Sequence, residues 1–128
     1  MFHSTKPSRV IFAFLLILNF LLISPAIAGG GDEAAARLAW PMIESGVLLV
    51  DVRTPEEFAE GHLEGAINID WENTEALIAA IGEDKQRPVV FYCRSGNRVG
   101  KSMLVLAAKG YNNIYNATGL EALKATKP

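Results

Sequence analysis

The residues best suited to chemistry lie in one short stretch, Cys93-Arg94-Ser95-Gly96-Asn97-Arg98, which follows the apolar run 88–92. Cys93 is the only cysteine of the chain. A buried strand, a polar turn and then a helix would place its thiol among backbone N–H groups at a helix N-terminus, beside two arginines. Such surroundings stabilise a thiolate and attract anions. The stretch therefore predicts an enzyme that works through a cysteine thiolate.

The first 28 residues are typical of a secretory signal peptide. Lys6 and Arg9 form a positive start, residues 10–23 are apolar except for one asparagine, and Ala26-Ile27-Ala28 has the pattern of a cleavage site. This apolar run of 14 residues is shorter than the roughly 20 that span a membrane. We therefore expect cleavage after Ala28, a periplasmic or secreted protein, and no stable membrane anchor after cleavage.

The remainder divides into a flexible leader at residues 29–31 and one domain at residues 32–128. Because the signal peptide removes Lys6 and Arg9, the 12 basic residues fall to 10 against 14 acidic ones, a net charge of −4. This acidic balance argues against nucleic acid as a partner. One cysteine cannot form an internal disulfide, so in an oxidising compartment it is either an intermolecular bridge or a free reactive thiol. A buried structural cysteine is the alternative, which the polar residues after Cys93 disfavour.

Apolar runs alternate with helix signals along this domain. Residues 47–52, 66–69, 88–92 and 114–116 predict strands, and the runs 47–52 and 88–92 lack the alternation of a half-exposed strand. This order indicates an α/β fold with a mostly parallel sheet, in which ligands bind beyond the carboxyl ends of the strands. Asp51, Arg53 and Cys93 all lie at strand ends, so we expect them at one rim.

Helix boundaries can also be predicted. Thr54-Pro55-Glu56-Glu57 has the pattern of a capping box, and Asn73 can cap the next helix. Asp32 can cap a first, alanine-rich helix. Pro41 should either kink this helix or end it before a second short turn.

Two motifs together resemble the rhodanese family. The segments 51–58 and 61–68, which read DVRTPEEF and GHLEGAIN, are similar to its N-terminal signature, and residues 93–98 are similar to its active-site loop. The resemblance covers residues 32–125. It implies a mostly parallel central sheet of about five short strands, with helices on both faces. In this family Gly-Gly and a tryptophan often lie near the C-terminus, whereas this chain has Thr118-Gly119 and no tryptophan there.

The resemblance also implies a sulfurtransferase without a cofactor. Cys93 would take a sulfane sulfur from thiosulfate or a similar small anionic donor, and the persulfide would pass it to cyanide, a thiol or a thiol-containing protein. The backbone N–H groups of residues 94–98 would hold the negative sulfur. We expect Arg94 to point outward to the oxygens of the donor and Arg98 to brace the loop.

Other residues receive supporting roles. Asp51 should pair with an arginine and fix the loop, and Arg53 should bond Glu57 or a nearby carbonyl. We expect His62 to be a hydrogen-bonding brace rather than a catalytic base, and Lys101 to be solvated. One cysteine and one histidine in residues 29–128 are too few soft ligands for a metal site.

Three alternatives use the same residues or fold. The chain could be a persulfide carrier that binds a partner protein and turns over small molecules slowly. It could be an inert interaction module, although such a module would be expected to lack the cysteine. A cysteine phosphatase or arsenate reductase also has an arginine that ends its loop. Four residues separate Cys93 from Arg98, one fewer than in related phosphatases, and the smaller ring favours a single sulfur atom.

Overall fold

The computed structural model describes residues 30–128, with side chains from residue 32, so the predicted signal peptide lies outside the described residues. Five helices and four strands occur in this range. In chain order they are α1 (Gly30–Glu44), β1 (Leu48–Asp51), α2 (Pro55–Glu60), β2 (Ile67–Asn68), α3 (Thr74–Ile81), β3 (Val89–Cys93), α4 (Asn97–Ala107), β4 (Ile114–Gly119) and α5 (Leu120–Ala125). Within residues 30–128, no helix has the length and apolar character needed to cross a membrane.

The strands form one parallel sheet in the order β2-β1-β3-β4. The α/β class and the parallel sheet agree with the prediction. The expected number of about five strands is wrong for the described residues, which contain four. The four runs that predict strands all form strands, whereas the count of about five came from the family resemblance, and no further apolar run in residues 30–128 supplies a fifth.

Helices cover both faces of the sheet, and β3 contributes to two separate cores. Val89, Phe91 and Cys93 pack in the core that includes α3 and α4, while Val90 and Tyr92 pack in the core with α1 and α5. Successive side chains of a strand point to opposite faces, and both faces of β3 are covered by helices, so all five of its residues are buried. This explains why the sequence of β3 is continuously apolar.

Helix α1 begins earlier than predicted, and of the two alternatives at Pro41 the continued helix is the one observed. It begins at Gly30, so residues 30–31 belong to the helix rather than to the predicted leader, and it continues through Pro41 to Glu44. The hydroxyl of Thr118 donates to the carbonyl of Asp32 at 3.1 Å, which ties down the first turn. The indole N–H of Trp40 is shared between Leu123 O and Thr126 Oγ1, both at 3.2 Å, and this holds α1 against α5.

Helix α2 begins with the predicted capping box. The hydroxyl of Thr54 accepts from the N–H of Glu57 at 3.2 Å, and the Glu57 carboxylate accepts from the N–H of Thr54 at 3.3 Å. The side chain of Asn73 caps α3 as predicted, by accepting from the N–H of Ala76. Helix α4 has no side-chain cap, because the residue that precedes it, Gly96, has no side chain; its backbone is left-handed at φ 88°. The first N–H groups of α4 are therefore left uncapped at the end of the Cys93 loop.

Candidate active site

The predicted site residues converge on the rim formed by the carboxyl ends of the parallel strands. In the strand register, Asp51 of β1 lies beside Tyr92 of β3, and Cys93 lies beside Gly119 of β4. The segment from Cys93 to Arg98 (the Cys93 loop) leaves the sheet between these neighbours and enters α4. The topology thus brings together segments that are about 40 and 25 residues from Cys93 in the sequence.

Cys93 is a buried free thiol, and the residue is only 1% exposed. Its Sγ accepts a hydrogen bond from the N–H of Gly96 at 3.0 Å. Among the described residues, this is the one member of the expected amide ring that is hydrogen-bonded to the sulfur. The first N–H groups of a helix lack intrahelical acceptors and carry its positive end, so the start of α4 favours a negative sulfur as well.

The second half of β4, residues 116–119, pairs irregularly with β3 and supports the Cys93 loop, and sequence reasoning missed its main contact. The Nδ2 group of Asn116 donates to the carbonyl of Gly96 at 3.0 Å. A side chain at Gly119 would overlap the carbonyl oxygen of Arg94, so only glycine fits there. The glycine had been noted as part of the family pattern, whereas no local signal marked Asn116.

Arg98 is held by Glu57, a second contact that the sequence did not predict. Its Nη1 and Nη2 groups donate to Oε1 and Oε2 of Glu57 at 2.6 and 2.9 Å, which makes a bidentate pair. Hydrogen bonding to Arg98 is the main cause that lowers the pKa of Glu57 from 4.5 to about 2. The same bond raises the pKa of Arg98. Arg98 is therefore tied to the capping carboxylate of α2, which lies outside the loop.

Arg94 points away from the core, as expected. Its side chain is 76% exposed, and its Nη2 lies 3.6 Å from Oε2 of Glu57. Charge pairs at this exposure and distance contribute little to stability. Arg94 is thus the more loosely held of the two loop arginines and is free to move toward an anion.

Asp51 and Arg53 form a buried ion pair under the rim. The Nε group of Arg53 lies 2.9 and 3.0 Å from the two carboxylate oxygens of Asp51, and Nη2 lies 2.6 Å from Oδ2. Nη2 also donates to the carbonyl of Gly61 at 2.7 Å, so the partner of Arg53 beyond Asp51 is this carbonyl rather than Glu57. The hydrogen bond to Asp51 raises the pKa of Arg53. The pair joins the end of β1 to the end of α2.

A pocket of about 340 Å³ opens beside the Cys93 loop. Side chains and backbone from α2, the loop and α5 line it. Three of the lining residues are basic, three are acidic and two are uncharged: Arg53, Arg94 and Lys124, then Glu57, Glu60 and Glu121, then Gly61 and Leu120. Ser95 and Asn97 are exposed on the outer side of the loop. The pocket is large enough for a small anionic donor, and Arg94 stands at its edge.

His62 and Lys101 make contacts of a structural kind. The Nδ1 group of His62 is 2.8 Å from the carbonyl of Phe58, which can only accept, so this nitrogen carries the proton. The imidazole also stacks on the Phe58 ring at 3.5 Å between centroids. Lys101 lies over the ring of Trp71 at 5.4 Å. In residues 32–128, no group of three or more His, Cys, Asp or Glu side chains is arranged to hold a metal ion.

The comparison with known sequences decides the family. Residues 33–125 match the rhodanese-like domain. The chain belongs to the rhodanese family. It is 36% identical over 78 residues to the thiosulfate sulfurtransferase PspE of Escherichia coli. The aligned residues are 61% of this chain and 75% of that protein. It is 33% identical over 88 residues to the thiosulfate sulfurtransferase GlpE of Pseudomonas aeruginosa, and the aligned residues are 69% of this chain and 78% of that protein.

Solved structures agree with this assignment. The human single-domain sulfurtransferase TSTD1 is 26% identical with a TM-score of 0.56, over 71% of this chain and 91% of that one. A rhodanese with anions from Escherichia coli is 35% identical with a TM-score of 0.54, over 60% and 91%. The chain is therefore a rhodanese-type sulfurtransferase, and the phosphatase alternative has no comparable support.

Proposed function

We propose that this rhodanese moves a sulfane sulfur from thiosulfate, or a similar anionic donor, to cyanide or a thiol through a persulfide on Cys93. The observation that carries the proposal is the hydrogen bond from the N–H of Gly96 to the sulfur, next to the pocket that Arg94 borders. The curated relatives named as thiosulfate sulfurtransferases support this choice of donor.

The first half of the reaction needs a thiolate and a place for the departing anion. The thiolate of Cys93 attacks the outer sulfur of thiosulfate, a new S–S bond forms, and the S–S bond of the donor breaks. Sulfite leaves with the electron pair of that bond. No separate base is required when the thiol is already ionised. Arg94, which is exposed and loosely held, meets the oxygens of the donor.

The second half returns the enzyme to its starting state. A thiolate or cyanide attacks the outer sulfur of the persulfide, the bond to Cys93 breaks, and the electron pair stays on Cys93 as a thiolate. The N–H of Gly96 and the positive end of α4 stabilise the negative sulfur at both stages. The outer sulfur would then lie toward the pocket, where the acceptor approaches. The acceptor is therefore a small nucleophile or a thiol that reaches in from a protein surface.

Intact-mass measurement after incubation with thiosulfate tests the proposal. The protein should gain one sulfur atom, and the Cys93→Ser variant should gain none, because Cys93 is the only cysteine. Cyanide should then remove the sulfur and release thiocyanate. A wild-type mass that stays unchanged in the absence of reducing agent would overturn the mechanism. A stable persulfide that cyanide does not discharge would instead indicate a carrier for a partner protein.

We also propose that the protein is exported and works in the periplasm or outside the cell. The proposal depends on the sequence pattern of residues 1–28. Expression of the full chain in a Gram-negative host, followed by fractionation and mass measurement, tests it. Export predicts a periplasmic product that starts at Gly29. A full-length product retained in the cytoplasm would contradict it.

A further inference from the structure

Asn116 lies in the middle of β4, where the pairing with β3 becomes irregular, and it contacts the peptide group that begins α4. Its Nδ2 group donates to Gly96 O at 3.0 Å, and its Oδ1 accepts from the N–H of Thr118 at 2.9 Å. The orientation of this amide is fixed by its partners, since a carbonyl can only accept and an N–H can only donate. One side chain therefore joins the irregular second half of β4 to the Cys93 loop.

This contact holds the residue whose own N–H bonds the sulfur, because Gly96 donates to Cys93 Sγ at 3.0 Å. The carbonyl of Gly96 also accepts the first hydrogen bond of α4, from the N–H of Gly100 at 2.9 Å. In a trans peptide the N–H points opposite to the C=O. With the Gly96 carbonyl held toward Gly100 and Asn116, both peptide groups that flank Gly96 are fixed, and the N–H of Gly96 stays directed at the sulfur.

The second half of β4 fits closely against the Cys93 loop. A side chain at Gly96 would approach Asn116 Oδ1 to 3.0 Å and Thr118 Cα to 3.2 Å, and the backbone of Gly96 is left-handed at φ 88°. Thr118 is itself held at φ 67°, which costs a β-branched residue on the order of 1–2 kcal/mol. Such strain persists only where the surroundings impose it. We therefore attribute the backbone conformation of Thr118 to its packing against the Cys93 loop.

We infer that Asn116 is a positioning residue for the chemistry of Cys93. The inference rests on the proposed function, because it assigns Asn116 to the persulfide chemistry. It goes beyond that function by naming a residue outside both family motifs. Asn116 acts through the Gly96–Asn97 peptide and does not touch the substrate. Without it, this peptide can rotate, and the donors around the sulfur lose their alignment.

Asn113, just before β4, offers a control for Asn116. The Nδ2 group of Asn113 donates to the carbonyl of Gln86 at 2.7 Å, at the end of the strands opposite to the Cys93 loop. Asn113→Ala and Asn116→Ala each delete an amide that bonds a backbone carbonyl. Asn116→Ala should lose more stability, because its amide is part-buried and also bonds Thr118, but only the loss at Asn116 should reach the sulfur.

The experiment compares the two variants by three rates and one stability measurement. The rates are sulfur uptake from thiosulfate followed by mass, alkylation of Cys93 by iodoacetamide at neutral pH, and kcat for thiocyanate formation. We expect all three to fall about tenfold in Asn116→Ala, less than the loss on removal of a direct oxyanion donor. We expect changes under about twofold in Asn113→Ala.

Each outcome is decisive. Rates in Asn116→Ala that match those of Asn113→Ala would overturn the inference, even if both variants are less stable than the wild type. A wild type that takes no sulfur would overturn the proposed function, while the alkylation rates would still test the positioning of the thiol. If Asn116→Ala does not fold, Asn116→Asp keeps the acceptor for Thr118 and loses the donor. In high salt, which screens the added charge, Cys93 of Asn116→Asp should be alkylated about tenfold more slowly than Cys93 of Asn113→Asp.

Discussion

Glu57 binds the guanidinium group of Arg98 with both of its carboxylate oxygens, at 2.6 and 2.9 Å. The same carboxylate closes the capping box of α2. One side chain thus stabilises the start of a helix and the end of the Cys93 loop. The two segments are 41 residues apart in the sequence, so their alignment at the rim depends on this link.

The link predicts a defined dependence of stability on pH. The pKa of Glu57 is about 2 in the folded protein against an ordinary value of 4.5, so the folded state binds this proton more weakly than the unfolded state. Stability from Glu57 is therefore fully present above pH 4.5 and declines as the pH falls toward 2. Glu57→Gln should be less stable than the wild type at neutral pH, and the difference should disappear near the lower limit. Urea unfolding across this range measures it.

Glu121→Gln is the control for this effect. The Glu121 side chain is 86% exposed, and its contact with Lys124 is long, at 3.6 Å. The urea unfolding curve of Glu121→Gln should therefore follow that of the wild type at every pH. A stability difference in Glu57→Gln that stays constant down to acid pH would mean that the charge of Glu57 is not what holds the loop.

Arg94→Ala should separate binding of the donor from the chemistry. Because the exposed guanidinium meets the oxygens of an anionic donor, its loss should raise KM for thiosulfate about tenfold, as expected for one charged contact, with a smaller effect on kcat. The rate with an uncharged sulfane-sulfur donor should change little. Steady-state kinetics with both donors measure the difference. Equal losses with the two donors would show that Arg94 is not the oxyanion contact.

The buried pair of Asp51 and Arg53 predicts a large loss of stability when only one partner is removed. Asp51→Asn leaves a guanidinium in a buried site without its counter-charge, which typically costs about 3–5 kcal/mol. The double variant Asp51→Leu with Arg53→Met removes both charges and should recover much of this loss. Chemical denaturation of the three proteins tests it. A double variant no more stable than Asp51→Asn would contradict the buried-charge explanation.

The sequence predicted those features whose signals are local. The continuous apolar run before Cys93 indicated a buried strand, and Thr54 with Glu57 indicated the start of α2. The missed contacts join distant segments. Glu57 already had a local explanation as a capping residue, so nothing in the sequence suggested Arg98 as a second partner. Asn116 lies 20 residues from Gly96, and the two meet only because β3 and β4 are neighbours.

The fit of Gly119 against the Cys93 loop gives a last prediction, with a control inside α4. A methyl group at Gly119 would overlap the carbonyl oxygen of Arg94, and this neighbour is backbone that cannot rotate away. Gly119→Ala should therefore displace the loop and lower kcat/KM by about 100-fold, as is seen when a reacting group moves by about 1 Å. Gly100→Ala should keep full activity, because outside the backbone of α4 no atom lies within 4 Å of the added methyl group. It should also stabilise α4 by up to about 1 kcal/mol, since alanine is the better helix former. Full activity in Gly119→Ala would show that the loop tolerates displacement from β4 and that its contacts with α2 alone position Cys93.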